Sequence, residues 1–172
     1  MTAAGLGGNE RRFRDDEIIV TKTDPQGRMV YCNDVFLRIS GYSERELIGQ
    51  PHNLIRHPAM PRTIFKVLWD AISQGKEVFA YVVNRCKSGD YYWVFAHVTA
   101  DRDEAGTIVG YHSNRRVPEP AALAAIQPLY ARLREEEERH PDRNAGMEAA
   151  SALLTSILAE KGVSYDQFVL GL

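Results

Sequence analysis

The chain has 172 residues, 44% of them hydrophobic, which is enough for one domain with its own core and an appendage. Its net charge of -2 at pH 7 gives no electrostatic reason to bind nucleic acid or an anionic membrane. No apolar run approaches the roughly 20 residues that a membrane-spanning helix needs, so we expect a soluble, cytoplasmic protein without membrane insertion.

The N-terminal part predicts a leader and a β-hairpin. Residues 1–14 are rich in glycine and then basic, which is typical of a flexible leader. Two strand-like runs, 17–23 and 28–32, flank the turn sequence Asp-Pro-Gln-Gly at 24–27. We therefore predict that the fold begins with two antiparallel strands.

Capping signals predict two short helices after the hairpin. Asn33 can cap a helix that ends at Gly41. Ser43 and Glu46 form a capping box for another helix, which ends at Gly49.

Segment 49–61 is the most distinctive part of the sequence, because it holds three prolines, two histidines and an arginine between two helix-like segments. Each proline fixes φ and removes a backbone donor, so we expect a rigid loop or a single helical turn from which Arg56 and His57 project. Such a loop suits an anionic or heteroaromatic ligand. The alternative is an ordinary connection whose polar groups lie in water.

The second half of the domain predicts one longer helix and a three-stranded meander. Pro61 suits a first helical position, and apolar residues recur at helical spacing until Gly75. Strands are predicted at 77–87, 91–102 and 107–117, with glycine-containing turns between them. The fold class is therefore α+β.

A helical tail is predicted over residues 119–172. Its first helix carries an apolar stripe, which comprises Leu123, Ile126, Leu129, Tyr130 and Leu133. Another helix should begin at Asp142 or Asn144 and continue through Lys161. The stripe can either fold back on the outer face of its own sheet or join two copies, and we expect a homodimer.

Cys32 and Cys86 lie far apart, each within a strand-like run. Their spacing is not that of metal ligands, so we expect two buried, reduced thiols and no metal site.

Several short motifs resemble those of a known family. They are Asn-Asp-Val-Phe at 33–36, Glu-Leu-Ile-Gly-Gln-Pro-His-Asn at 46–53, Arg-His-Pro at 56–58 and Asn-Arg at 84–85. With them, residues 17–117 resemble the flavin-binding PAS domain of bacterial aerotaxis receptors. The resemblance implies a PAS fold over residues 15–118, with a five-stranded antiparallel sheet and short helices on one of its faces.

The resemblance further implies a sensor that holds FAD without a covalent bond and reports redox or oxygen state through a conformational change. Similarity to the light-sensing flavin PAS domains implies that Asn84 and Val94 touch the isoalloxazine ring and that His112 lies near its redox-active nitrogen, although a strand histidine facing solvent is an equal alternative for His112. The full set of implied cofactor-binding residues is Asn33, His52, Arg56, His57, Asn84, Val94 and His112.

Two positions depart from the family pattern. Ala59 stands where the family has an acidic residue, and Val78 stands where it has a tryptophan. Both changes bear on how firmly a flavin is retained.

Two alternative functions stay open. One is a PAS domain without cofactor that acts as a dimerisation or docking module. The other is a haem-binding gas sensor with His52, His57 or His112 as axial ligand, which ranks below flavin because residues 61–75 contain no histidine.

Catalytic signatures are lacking in the sequence: it has no phosphate-binding glycine loop and no ordered Ser, His and Asp set. We therefore expect a sensor that is not an enzyme and that contacts a chemotaxis or other signalling protein.

Overall fold

The computed structural model describes residues 6–172, which form a five-stranded antiparallel sheet and six α-helices. The strands are β1 (Ile19–Thr23), β2 (Met29–Cys32), β3 (Val78–Arg85), β4 (Tyr91–Arg102) and β5 (Ile108–Arg116). The helices are α1 (Asp34–Ser40), α2 (Glu44–Leu47), α3 (Arg62–Ile72), α4 (Pro120–Glu138), α5 (Arg143–Lys161) and α6 (Tyr165–Leu170). The strand order β2-β1-β5-β4-β3 brings the first and last strands of the chain together in the middle of the sheet. The predicted fold class is confirmed.

The first hairpin turns where the sequence predicts. Gly27 adopts a φ of 80°, which favours glycine, and its amide donates to the Asp24 carbonyl across 3.0 Å. The Asp24 carboxylate accepts from the backbone amide of Arg28 at 2.8 Å. These bonds fix the register in which β2 returns along β1.

Helix α1 is fixed to the sheet by its capping residue. The Asn33 Oδ1 atom accepts from the amide of Phe36 at 3.2 Å, as the capping prediction requires, and also from the amide of Val20 at 3.1 Å. Its Nδ2 atom donates to the Ile18 carbonyl across 2.8 Å. One side chain thus starts the helix and attaches it to β1.

Segment 49–61 crosses from one edge of the sheet to the other. Residues His52–Ile55 form a single 3-10 turn, in agreement with the predicted loop or helical turn. Before the turn, Pro51 pairs with Arg28 beside β2; after it, Arg56 pairs with Asn84 of β3. The segment therefore lies over the inner face of the sheet with its two ends attached at opposite edges.

The tail covers the outer face of its own sheet along β3 and β4. The Tyr130 hydroxyl donates to the Tyr81 carbonyl across 2.6 Å, and its ring packs on that of Trp93 with an interplanar angle of 30° and centroids 6.4 Å apart. Leu133 is fully buried, and Ile126 nearly so. The structure therefore shows the folded-back arrangement, which uses within one chain the residues that the predicted homodimer would need, and the homodimer stays a prediction.

The described part of the leader is docked, which corrects the prediction of flexibility for residues 6–13. Leu6 and Phe13 are buried, because the chain runs beside the start of β4. There the amide of Tyr91 donates to the Asn9 carbonyl across 3.1 Å, and the amide of Arg11 donates to the Tyr91 carbonyl across 2.7 Å. Residues 1–5 of the predicted leader lie outside the described residues.

Both cysteines, Cys32 and Cys86, are buried and unbridged, as predicted. Within residues 6–172, no helix combines the length and the apolar character that crossing a membrane requires.

Candidate functional site

A cavity of about 170 Å³ lies between the inner face of the sheet, segment 51–56 and helix α3. Its apolar wall comes from α3 and from β3 and β4, and comprises Phe65, Leu68, Ile72, Val82, Ala96 and Val98. Its polar wall comes from β1, β3, β5 and the crossing segment, residues 51–56, and comprises Thr21, His52, Arg56, Asn84, Ser113 and Arg115. Within residues 6–172, no aspartate or glutamate lines this cavity.

Arg115 is the most unusual residue in the wall. It is only 2% exposed, and burial lowers its pKa to about 10. Its Nε donates to the Ser113 hydroxyl at 3.0 Å and its Nη2 to the Thr21 hydroxyl, but Nη1 is buried with no hydrogen-bond partner among residues 6–172. A buried cation without a carboxylate is costly, so this guanidinium favours an acceptor or anion in the cavity.

His52 lies beside Arg115 and is held neutral. The Arg115 Nη2 atom donates to its Nε2 across 2.9 Å. Burial, then the positive charges of Arg115 and Arg56, lower the pKa of His52 to about 3. Its ring also stacks on Phe36 with centroids 6.5 Å apart. His52 therefore presents a neutral imidazole to the cavity at any physiological pH.

Arg56 closes the cavity near α3. Its guanidinium lies over the Phe65 ring, 3.6 Å from the centroid, and its Nε is buried with no partner among the described residues. Burial lowers the pKa of Arg56 from its ordinary value. The backbone pairing with Asn84 fixes its position on the inner face.

Asn84 lies on β3 next to Arg56 and is 4% exposed. Its side-chain amide is among the polar groups that line the cavity. Both a donor and an acceptor are thus available to a ligand from this one side chain.

The mouth of the cavity lies between the first hairpin turn and helix α3. Trp69 packs edge-on against Tyr111 with centroids 5.5 Å apart, and it is 37% exposed. Gln26 and Gly27 form the facing rim. Because a Cβ at Gly27 would lie 3.1 Å from the indole, the turn and the tryptophan are in close contact.

The structure thus brings three predicted residues to the cavity, namely His52, Arg56 and Asn84. It places Asn33 away from the wall, because the side chain caps α1 and binds β1 instead. It also corrects His57, which is buried under the leader. The His57 Nε2 atom bonds to the Leu6 carbonyl at 2.8 Å, and its Nδ1 accepts from the amide of Ala59 at 3.0 Å.

The prediction for His112 is corrected by strand alternation. On β5 the inward residues are Tyr111, Ser113 and Arg115, so His112 faces outward and lies 3.2 Å from the Asn114 side chain. This agrees with the alternative of a solvent-facing histidine. Val94 is fully buried on β4, but it packs into the core and is not part of the cavity wall.

Sequence reasoning missed Arg115, Ser113 and Thr21. The only available signal was the alternation of β5, in which an arginine and a serine share the face of Tyr111. Surface strands commonly carry such residues, so the pattern alone did not indicate a buried guanidinium.

The comparisons with known proteins agree with this architecture. A family model described as "PAS fold" matches residues 29–115. The chain is 41% identical over 119 residues to the aerotaxis receptor of Escherichia coli, a match that covers 69% of this chain and 23% of the receptor. It is 25% identical over 99 residues to the nitrogen fixation regulatory protein of Klebsiella pneumoniae, covering 58% of this chain and 20% of that protein.

Among solved structures, the light state of the blue-light photoreceptor Aureochrome1 LOV matches with a TM-score of 0.55 and 24% identity. The match covers 68% of this chain and 91% of that one. With the sheet order and the crossing segment described above, these findings show that the chain belongs to the PAS family, with a PAS domain similar to that of the aerotaxis receptor.

Proposed function

We propose that the chain is a sensor that binds a flavin, FAD, without a covalent bond and reports its redox state to a signalling partner. The observation that carries the proposal is Arg115, a buried guanidinium with an unpaired Nη1 in a cavity that has no acidic lining residue within the described part of the chain. The 41% identity to an aerotaxis receptor supports the same assignment.

When bound, a flavin supplies a ring system that accepts electrons and gains negative charge on reduction. The residues of this cavity fit such a group. Phe65, Leu68 and Val98 would pack on the ring, while Asn84 and Arg115 would bind its polar edge. The guanidinium of Arg115 favours negative charge on that edge of the ring. The imidazole of His52 is neutral and does not reduce this preference for negative charge.

The enclosed volume bears on how the ligand would enter. About 170 Å³ is below the roughly 300–1,000 Å³ typical of sites for drug-sized ligands. A dinucleotide would therefore extend beyond the enclosed volume, and the mouth between Gly27 and Trp69 is the direct route.

The same small volume favours the second candidate, a docking module without cofactor. In that case the apolar wall acts as part of the core and Arg115 is hydrogen-bonded to water.

Haem has less support, because none of the three candidate axial histidines is free to bind iron in the cavity. His52 bonds to Arg115, His57 lies under the leader and His112 faces outward.

Absorbance of the purified chain, before and after incubation with FAD, tests the proposal. We expect flavin bands that persist after desalting in wild type, and that are lost or strongly reduced in Arg115→Met. Arg116→Met is the matched control, because the neighbouring side chain is exposed. A folded wild-type chain that takes up no FAD at micromolar concentration would support the docking module, and a Soret band would support haem.

We further propose that the chain has no catalytic activity of its own, that it works in the cytoplasm and that it signals by contact with a chemotaxis or other signalling protein. Titration of the FAD-loaded chain with chemotaxis proteins, in oxidising and reducing buffer, tests the contact; equal affinity in both buffers would count against redox signalling.

A further inference from the structure

Glu137 is a buried carboxylate that belongs to the tail but serves the PAS domain. It lies in the last turn of α4, beyond the residues that the family model matches, and is 5% exposed. Its oxygens accept from the backbone amides of Arg62 at 3.2 Å and Thr63 at 2.8 Å. They also accept from the Arg62 Nε at 3.2 Å and the Thr63 hydroxyl at 2.8 Å.

These bonds supply the cap that α3 lacks. The helix begins after Pro61, whose side chain cannot accept a hydrogen bond, so its first amides need another acceptor. A carboxylate is well suited to that position because the helix dipole is positive there. Helix α3 is therefore capped by a residue that lies 75 positions away from Arg62 in the sequence.

Helix α5 closes over the same point. A Cβ at Gly146 would lie 2.4 Å from the Glu137 carbonyl oxygen, so glycine permits the close approach of α5 to α4. The Met147 carbonyl of α5 lies 3.5 Å from the Thr63 hydroxyl. Three helices thus meet at one buried carboxylate.

The capped end of α3 leads directly to the cavity. Phe65 follows Thr63 by two residues, lines the cavity and carries the Arg56 guanidinium on its ring. Trp69, one turn further along, forms part of the mouth. A shift at the start of α3 would move the apolar wall and Arg56 together.

We propose that Glu137 is a positioning residue for the cavity and that it couples docking of the tail to binding of the cavity ligand. A fixed α3 is a preorganised wall, so tail docking strengthens ligand binding. Because linkage is reciprocal, the ligand strengthens tail docking by the same factor. The tail is then the element through which the chain reports whether the cavity ligand is bound. The coupling rests on the proposed function only in that the ligand is taken to be a flavin.

Glu137→Gln in the full chain tests the coupling. The substitution keeps the shape of the side chain but removes its negative charge, and it puts an amide NH₂ group where an oxygen accepted hydrogen bonds from Arg62. Glu138→Gln is the matched control, because the next side chain is 67% exposed and, among residues 6–172, pairs only with Arg134 on its own helix. The readouts are hydrogen exchange without ligand, the Kd for FAD, and protection of the 139–142 connection from protease by FAD.

For Glu137→Gln we expect faster exchange across residues 56–69, FAD binding weakened by about tenfold or more, and loss of the protease protection that FAD gives wild type. Glu138→Gln should match wild type in all three. Faster exchange confined to the tail, or an FAD Kd within about twofold of wild type, would overturn the coupling. If wild type binds no FAD, the proposed function fails, and the exchange at 56–69 alone then decides whether Glu137 positions the cavity wall.

Discussion

The guanidinium of Arg115 donates a hydrogen bond to Nε2 of His52 across 2.9 Å, although both side chains can carry positive charge. A guanidinium has no acceptor, so Nε2 of His52 must be unprotonated and the ring proton must lie on Nδ1. The bond therefore exists only while the imidazole is neutral.

The first prediction concerns this histidine and acid stability. The pKa of His52 is about 3 in the folded chain and about 6.5 in an unfolded one, so below about pH 6.5 the unfolded state binds more protons. The unfolding free energy should then decrease as the pH is lowered below about 6.5, by up to about 1.4 kcal/mol per pH unit from this residue. Urea unfolding between pH 7 and 5 should give a shallower dependence for His52→Gln than for wild type. Equal slopes in the two proteins would mean that His52 titrates freely in the folded state.

A second prediction separates ligand binding from stability at Arg115. A buried charge without a carboxylate contributes little to stability, and apolar replacements of buried charges are often neutral or stabilising. Without ligand, Arg115→Met should unfold at the same free energy as wild type or up to about 2 kcal/mol higher, even though its FAD binding is lost. A loss of more than about 1 kcal/mol in chemical denaturation would instead identify Arg115 as a structural residue of β5.

The third prediction tests where the tail stripe is buried. Leu133 is fully buried against its own chain, so Leu133→Ala should lower the unfolding free energy by about 2–4 kcal/mol. Arg132→Ala, at the exposed neighbouring position, should change it by less than about 0.5 kcal/mol. The melting temperature should not depend on protein concentration in either variant. A melting temperature that depends strongly on concentration in wild type, but not in Leu133→Ala, would support a homodimer through this stripe.

A fourth prediction uses two adjacent glycines of the leader. Both have positive φ, 46° at Gly7 and 75° at Gly8, but only Gly8 is crowded, since a Cβ there would lie 2.4 Å from the Gly89 carbonyl oxygen. Gly8→Ala should release the leader from β4 and speed exchange of the Tyr91 amide. Gly7→Ala should lower the unfolding free energy by only about 1 kcal/mol, which is the strain of an alanine in the left-handed conformation, and the Tyr91 amide should stay protected. Equal exchange in the two variants would show that the docked leader does not depend on contact with Gly89.

Local signals in the sequence were sufficient for most of the fold. The turn at 24–27, the cap at Asn33 and the helix after Asp142 are set by hydrogen bonds to near neighbours, and each lies where the pattern predicts. Strand β4 has the predicted bounds because a turn ends it on each side.

The site was less predictable because it depends on tertiary pairing. His112 and Arg115 lie three residues apart on one strand, yet which of them faces inward is decided by the register of β5 between β1 and β4. Likewise, the acidic run at 135–138 is typical of a solvated surface, and nothing local distinguishes Glu137 from the other three glutamates, which are less buried. Its burial follows from where α4 ends relative to α3.

The crossing segment has a consequence for how the protein meets other chains. An open sheet edge invites another strand to pair with it, which is a common route to aggregation and to recruitment of extended peptides. Here the amide of Met29 donates to the Gln50 carbonyl at the β2 edge, and Arg56 pairs with Asn84 at the β3 edge. One short piece of chain thus occupies backbone groups at both borders of the sheet, so a partner has to recognise side chains on its surfaces and cannot simply extend the sheet at those points.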